Sequence, residues 1–259
     1  MKIEKRHIIQ IVGWSLLVIC FVGMYIAGRQ SRKAVKCKDV EVTILDSLSN
    51  KFVNRNDIKT ILDSVYGRHI GVSIDSLNLA NIENIIDHNS AVQKSQAHIT
   101  KEGILKIEVT QRRPVVRFIT AEGGYYADAE GNIFPLQKNF SSRVHVVDGK
   151  LPIPGGIEEA MKMTDPVQIK WFNGIVNLVN YMDGSDRWKE MFVQIHSLEG
   201  GSLVLIPRKG KERFIFGQPD RIAEKFDRIA TYYTSIVPEK GQDHYKEINV
   251  AYHGQIVCK

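Results

Sequence analysis

The sequence predicts an α+β fold: one N-terminal transmembrane helix, then a compact β-α-α-β-β domain, then a mixed β-rich domain with two helices. Three observations carry this. Residues Ile8 to Gly28 form an unbroken run of 21 residues without a charge. Short segments of alternating apolar residues, the period of a half-buried strand, recur through the rest of the chain. Between them lie stretches whose apolar residues repeat at helical spacing.

As a helix, Ile8–Gly28 spans roughly 30 Å, the hydrocarbon thickness of a bilayer. Its polar members are few (Gln10, Ser15), and Trp14 and Tyr25 are aromatics suited to the membrane interface. A cleavable signal peptide has a shorter apolar core and a small-x-small cleavage site. The stretch Met24–Arg29 offers no such site clear of the apolar run, and Cys20 follows Ile19 inside the run, which argues against lipidation. The expectation is a short tail over 1–7, an uncleaved anchor over 8–28 and a basic tether over 29–37.

Charge follows the same division. Of the chain's 35 Lys and Arg, eight lie in residues 1–38, against one (Glu4) of its 29 acids, so the remainder is close to neutral. Basic residues beside a bilayer are drawn to anionic headgroups. The implied partner of the positive charge is therefore membrane lipid and not nucleic acid. Five basic residues follow the anchor and three precede it, yet long C-terminal domains translocate despite such charges, so charge leaves the orientation open.

Three cysteines, no C-x-x-C and no His/Cys cluster at zinc spacing argue against a disulfide framework, a metal or a cofactor. The body of about 220 residues has room for two modest apolar cores.

The first domain is expected over 38–112. Lys38–Leu45 alternates Val40, Val42 and Ile44 as a strand. A helix around Asp57–Val65 follows, with Asn56 placed to cap it, Ile58, Ile61, Leu62 and Val65 on one stripe, and Gly67 where it stops. A second helix over Leu77–Asp87 presents Leu79, Ile82 and Ile86. Strands Val92–Thr100 and Ile104–Thr110 flank a short turn whose Gly103 suits a left-handed conformation.

The second domain, 113–259, begins after Arg112-Arg113-Pro114. Those two arginines read as a solvated domain junction or a contact for an acidic partner. Strands are expected at Val115–Thr120, Gly124–Asp128, Gly131–Leu136 and Arg143–Val147. Asp165-Pro166 opens a helix that should bury Val167, Trp171, Ile175, Leu178, Val179 and Met182 and end near Gly184. Strands resume at Met191–His196, Ser202–Pro207 and Arg213–Gly217. A helix from Pro219 places Ile222, Phe226, Ile229 and Tyr233 on its apolar face, and Glu247–Cys258 reads as extended, interrupted at Gly254. Leu151–Thr164 carries no recognisable pattern.

Catalysis finds no support. Asp128, His145 and Asp148 lie close in sequence, but alternating strands do not bring such groups together by themselves, and Asp128 and Asp148 sit in turns where carboxylates cap backbone N–H groups. Ser197 and Ser202 lack a nucleophile elbow, and Gly155-Gly156 lacks the strand and helix of a phosphate loop.

Three segments carry a resemblance. Ile107-Glu108-Val109-Thr110-Gln111-Arg112-Arg113-Pro114-Val115-Val116, Tyr125-Tyr126-Ala127-Asp128-Ala129-Glu130-Gly131-Asn132-Ile133-Phe134 and Ile248-Asn249-Val250-Ala251-Tyr252 are similar to segments of the bacterial cell-division protein FtsQ (DivIB) family. In that family they are the strand leaving the POTRA domain, a hairpin of the β domain and the final strand. The final strand departs at two places: Asn249 stands for an acid and Ala251 for an arginine.

The resemblance implies a non-catalytic scaffold in the inner membrane, with its N-terminus in the cytoplasm, its body in the periplasm and a septal location. It implies FtsB-like and FtsL-like single-pass partners bound by strand addition at the C-terminal edge. The first domain would be POTRA-like and meet other divisome members. Carried onto this chain, the partner-binding positions are Ile248, Val250, Tyr252, Gly254, Ile256 and Val257, with Tyr232 and Tyr233 as neighbours. The alternative is a membrane-anchored POTRA adaptor of another envelope assembly or secretion complex. An outer-membrane barrel is argued against by the two amphipathic helices and the short C-terminal body.

Overall fold

The computed structural model describes residues 13–26, 35–47, 51–153 and 157–259. Residues 13–26 form helix α1, and its apolar side chains, from Trp14 to Ile26, are exposed. Among the described residues no helix is long and apolar enough to cross a membrane. Both ends of the expected anchor Ile8–Gly28, and most of the tether, lie outside the described residues.

Two compact units follow. The first carries strand β1 (Asp39–Ile44), helix α2 (Arg55–Ile61), helix α3 (Leu79–Asp87) and strands β2 (Val92–Ile99) and β3 (Ile104–Gln111). This is the expected β-α-α-β-β order. The sheet runs β1-β3-β2, with β1 parallel to β3 in the register Val40↔Leu105 and Val42↔Ile107. Strict alternation buries Leu105, Ile107 and Val109 of β3, and Ile58, Leu62, Ile82 and Ile86 of the helices are fully buried.

Two details differ from the sequence reading. The cap of α2 is Asn54, not Asn56: its Oδ1 accepts from the N–H groups of Asn56 (2.8 Å) and Asp57 (3.0 Å), while Asp57 Oδ2 accepts from Asn54 N–H (2.9 Å). An asparagine with an acid three residues on satisfies two helix-end donors at once, which a cap at Asn56 would not. The helix then ends in a π-turn, Leu62–Tyr66, closed by Gly67 N–H on Leu62 O (3.1 Å). The wider turn rotates Val65 off the apolar stripe and leaves it 65% exposed.

The outer edge of β2 is guarded. Asp87 accepts from Ser95 N–H (2.6 Å) and Oγ (2.7 Å), and Glu83 Oε1 accepts from Ala97 N–H (2.7 Å). Carboxylates from α3 thus occupy donors that an added strand would need.

The second unit comprises Gln111–Lys259 with two short earlier stretches, Ser47–Phe52 and Asn89–Ala91. Its strands are β4 (Pro114–Thr120), β5 (Gly123–Asp128), β6 (Asn132–Pro135), β7 (His145–Gly149), β8 (Met161–Lys162), β9 (Phe192–Ser197), β10 (Leu203–Pro207), β11 (Arg213–Gly217), β12 (Glu247–Asn249) and β13 (Val257–Cys258). They form one ten-stranded sheet in the order β13-β12-β11-β10-β9-β7-β4-β5-β6-β8. The pairs β4/β7, β7/β9 and β11/β12 are parallel and the rest antiparallel. The unpatterned stretch 151–164 contributes β8, which ends the sheet against β6 and is too short to read locally.

Helices α4 (Pro166–Asp183) and α5 (Ile222–Thr231) supply one side of the core. Asp165 caps α4 as expected, accepting from Val167 N–H (2.7 Å) and Gln168 N–H (3.1 Å). Trp171, Ile175, Leu178, Val179 and Met182 are buried, but Val167 is 73% exposed because it sits in the first turn, and Phe172 is buried in addition. Trp171 donates from Nε1 to Gly201 O at 2.8 Å. Helix α5 begins at Ile222, not Pro219, behind Arg221, a non-glycine residue in the left-handed region (φ 44). It continues through a π-turn, Tyr232–Ile236, into α6 (Val237–Lys240).

Candidate partner-binding edge

The region that the sequence singled out closes the sheet. Helix α5 is a crossover, so the chain returns beside β11 in parallel, with Phe214↔Ile248 and Ile215↔Asn249 aligned. The extended stretch expected over Glu247–Cys258 is two short strands around a loop, and the interruption expected at Gly254 lies in that loop. Val250 N–H still bonds Ile215 O (3.0 Å), but Asn249 Oδ1 accepts from Ala251 N–H (3.0 Å), an Asx turn that bends the chain away. Gly254 takes φ 70 and completes the reversal. The tail then pairs antiparallel with β12, Ile248↔Cys258 and Asn249↔Val257. Lys259 and Glu247 exchange two bonds (2.9 and 3.1 Å), and Lys246 N–H adds a third on Lys259 O (2.8 Å).

The loop is held from one side by charged residues of α5 and the residue before it. Arg228 Nη1 donates to Val250 O (2.6 Å) and Arg221 Nη2 to Ala251 O (2.8 Å). Glu224 accepts from Arg228 and lies 2.7 Å from His253 Nδ1. Buried Lys225 donates to Gln218 O and Asp220 Oδ1, both at 2.7 Å, with its ammonium 4.7 Å from the Phe216 ring centre. Burial holds its pKa below the ordinary lysine range, against the opposing pull of Asp220. Sequence reading missed this network. Its local trace was the i, i+3 and i, i+4 spacing of Arg221, Glu224 and Arg228, but its targets are backbone carbonyls some 22 to 30 positions away.

The eight predicted partner-binding residues fall into three groups. Tyr252 (53% exposed) and Gly254 stand on the loop, open to solvent. Tyr233, Ile256 and Val257 are half-buried. Tyr232, Ile248 and Val250 are core residues, so their side chains are not available to a partner in this state. Tyr232 packs edge-on against Phe214 (5.6 Å between centroids) and Tyr233 (5.2 Å). Burial raises its phenol to about 12, with Glu212 adding to the shift. Tyr233 donates to Glu212 Oε1 at 2.6 Å, and burial with that bond raises its phenol further. Tyr233 also lines an open depression of about 450 Å³ with Arg187, Met191, Arg208 and Gln242.

Asp128, His145 and Asp148 do not assemble. Asp128 is buried in its hairpin turn, accepting from the N–H groups of Glu130 (3.1 Å) and Asn132 (2.9 Å) and from Arg112 (3.3 Å). His145 faces Asp183 (3.1 Å), and Asp148 faces His196 (2.8 Å). Arg112 also donates from Nε to Ser90 O (3.1 Å), which makes it an internal staple of this unit and not a solvated junction.

Two family models match the chain. One, described as a POTRA-like domain, covers residues 35–110. The other, described as FtsQ/DivIB, C-terminal related, covers residues 113–259. No curated relative matches. The second model alone spans more than half of the chain and takes in the whole edge described above, from the sheet strands to the folded-back tail: the chain belongs to the FtsQ/DivIB family.

Proposed function

We propose that this chain is a non-catalytic scaffold of the division machinery. Residues 8–28 hold it in the cytoplasmic membrane, with the N-terminus in the cytoplasm and the body in the periplasm, at the septum. It binds FtsB-like and FtsL-like single-pass partners by strand addition at the C-terminal edge of the large sheet, and so links early and late division proteins. The POTRA-like unit meets further divisome members.

One observation carries the reading. The large sheet ends on a two-residue strand, next to an exposed tyrosine on a loop pinned by Arg221 and Arg228. An edge offers backbone donors and acceptors to an incoming segment, and a fixed exposed aromatic supplies an anchor beside it.

The test is in-cell photo-crosslinking from position 252, with mass spectrometry of the captured protein. Capture of a small single-pass coiled-coil protein supports the reading; an abundant, folded protein that captures nothing overturns it. A POTRA adaptor of another envelope complex would instead be distributed evenly around the cell, which fluorescence imaging distinguishes from midcell.

A further inference from the structure

Strand addition needs a free edge, yet the edge of β12 is occupied by the chain's own tail. Ile256 and Cys258, two positions apart, pack against the core, and the backbone of the last residues takes up the outward groups of Lys246 and Glu247. The tail thus has the form an added strand would have: extended, antiparallel to β12, with alternate apolar side chains turned inward.

Its hold is slight. The strand is two residues long, paired with β12 over only Ile248↔Cys258 and Asn249↔Val257, and fastened beyond that ladder by three further backbone bonds. So short a pairing opens locally at little expense, well short of global unfolding. The loop before it is fastened separately, Val250 and Ala251 by Arg228 and Arg221, His253 by Glu224. Gly254, at positive φ and exposed, lies between the fastened loop and the tail. The tail can therefore peel away about Gly254 while β12 stays on β11 and Tyr252 stays in place.

We propose that the tail strand Val257–Cys258 is a displaceable occupant of the partner's site. The partner segment replaces it, running antiparallel to β12, with apolar side chains where Ile256 and Cys258 now sit. This rests on the strand-addition reading and deepens it: the edge is closed until a better strand competes for it. An intramolecular occupant acts at an effective concentration of about millimolar, so it rejects weak strands and yields to tight ones.

The probe is a fluorescent peptide copying the tail, Tyr252–Lys259, added to the full chain in detergent. Three forms are compared: the chain as it is, a chain ending at Gly254, and Asn249→Cys/Val257→Cys in a Cys258→Ser background. The last joins two facing residues by a disulfide when oxidised and releases them when reduced, which provides a control free of truncation. The expected result is binding at least tenfold tighter to the shortened chain than to the full one, none to the oxidised pair and recovery on reduction. Binding to the full and oxidised forms that is lost on shortening places the strand on the outer side of β13 and overturns displacement while leaving strand addition intact. Equal binding to all three forms also overturns displacement, because the peptide then does not compete with the tail. Binding to none also overturns displacement, and capture from position 252 in cells then reports separately on whether partner binding survives.

Discussion

Tyr252 and Tyr232 look alike in the sequence, twenty positions apart in the same region, and the structure gives them opposite surroundings. Tyr252 is half out in solvent, so Tyr252→Ala should lower partner capture at least tenfold, as loss of an aromatic anchor does, with little change in melting temperature. Pull-down and thermal melting check the two halves. Tyr232 is core, and its phenol, ordinarily near 10, is raised to about 12 in the fold. The unfolded chain therefore loses this proton first as pH rises. The contribution of Tyr232 is full below pH 10 and disappears between 10 and about 12. Denaturant titrations across that window should show a fall in stability that Tyr232→Phe makes shallower. Tyr125 is a simpler case. Its hydroxyl is buried without a hydrogen-bond partner among the described residues, so Tyr125→Phe should stabilise the protein by about 1 kcal/mol, read from the urea midpoint.

At the scale of elements, short strands matter because something else fixes them. Strand β12 is three residues long and is extended in effect by Val250 N–H on Ile215 O and by the Arg228 bond to Val250 O. Val250→Pro removes the first and should abolish partner capture while the POTRA-like unit keeps its hydrogen-exchange protection. Arg228→Met leaves Val250 O without its side-chain donor and should cost about 1–3 kcal/mol, with partner binding weakened through the loosened loop. The two sheets handle their edges differently. The β2 edge is guarded by carboxylates of α3, and the β12 edge by a strand of the chain itself. A guard of side chains blocks pairing outright, whereas a guarding strand can be exchanged for another.

For the whole molecule, the large sheet and the edge that closes it belong to one compact unit, and the proposed anchor contributes none of the residues described at that edge. Replacing Ile8–Gly28 with an unrelated apolar helix should therefore leave partner binding in detergent within about threefold. A larger loss, seen in the same pull-down, would mean that the proposed anchor segment itself recognises a neighbour.

Much of this was legible because it is local. Asp165-Pro166 announces α4 since a capping acid and a ring-fixed φ act within one turn, and the alternation of Leu105, Ile107 and Val109 specifies a strand with one buried face. The cap falls on Asn54 and not on Asn56 because either asparagine can cap, and only the reciprocal bond that Asn54 N–H donates to Asp57 chooses between them. The β-α-α-β-β order of the first unit and the family resemblance of three segments follow from the sequence by itself, whereas β8 does not, being two residues long. What the tertiary structure alone decided is the state of the edge. Glu247–Cys258 reads as an extended stretch interrupted at Gly254, but it is Asn249 that first turns it, and Arg221 and Arg228 fix the loop from far along the chain. Contacts between a side chain and a distant carbonyl leave no period in the sequence, because loop closure, not local propensity, brings them together.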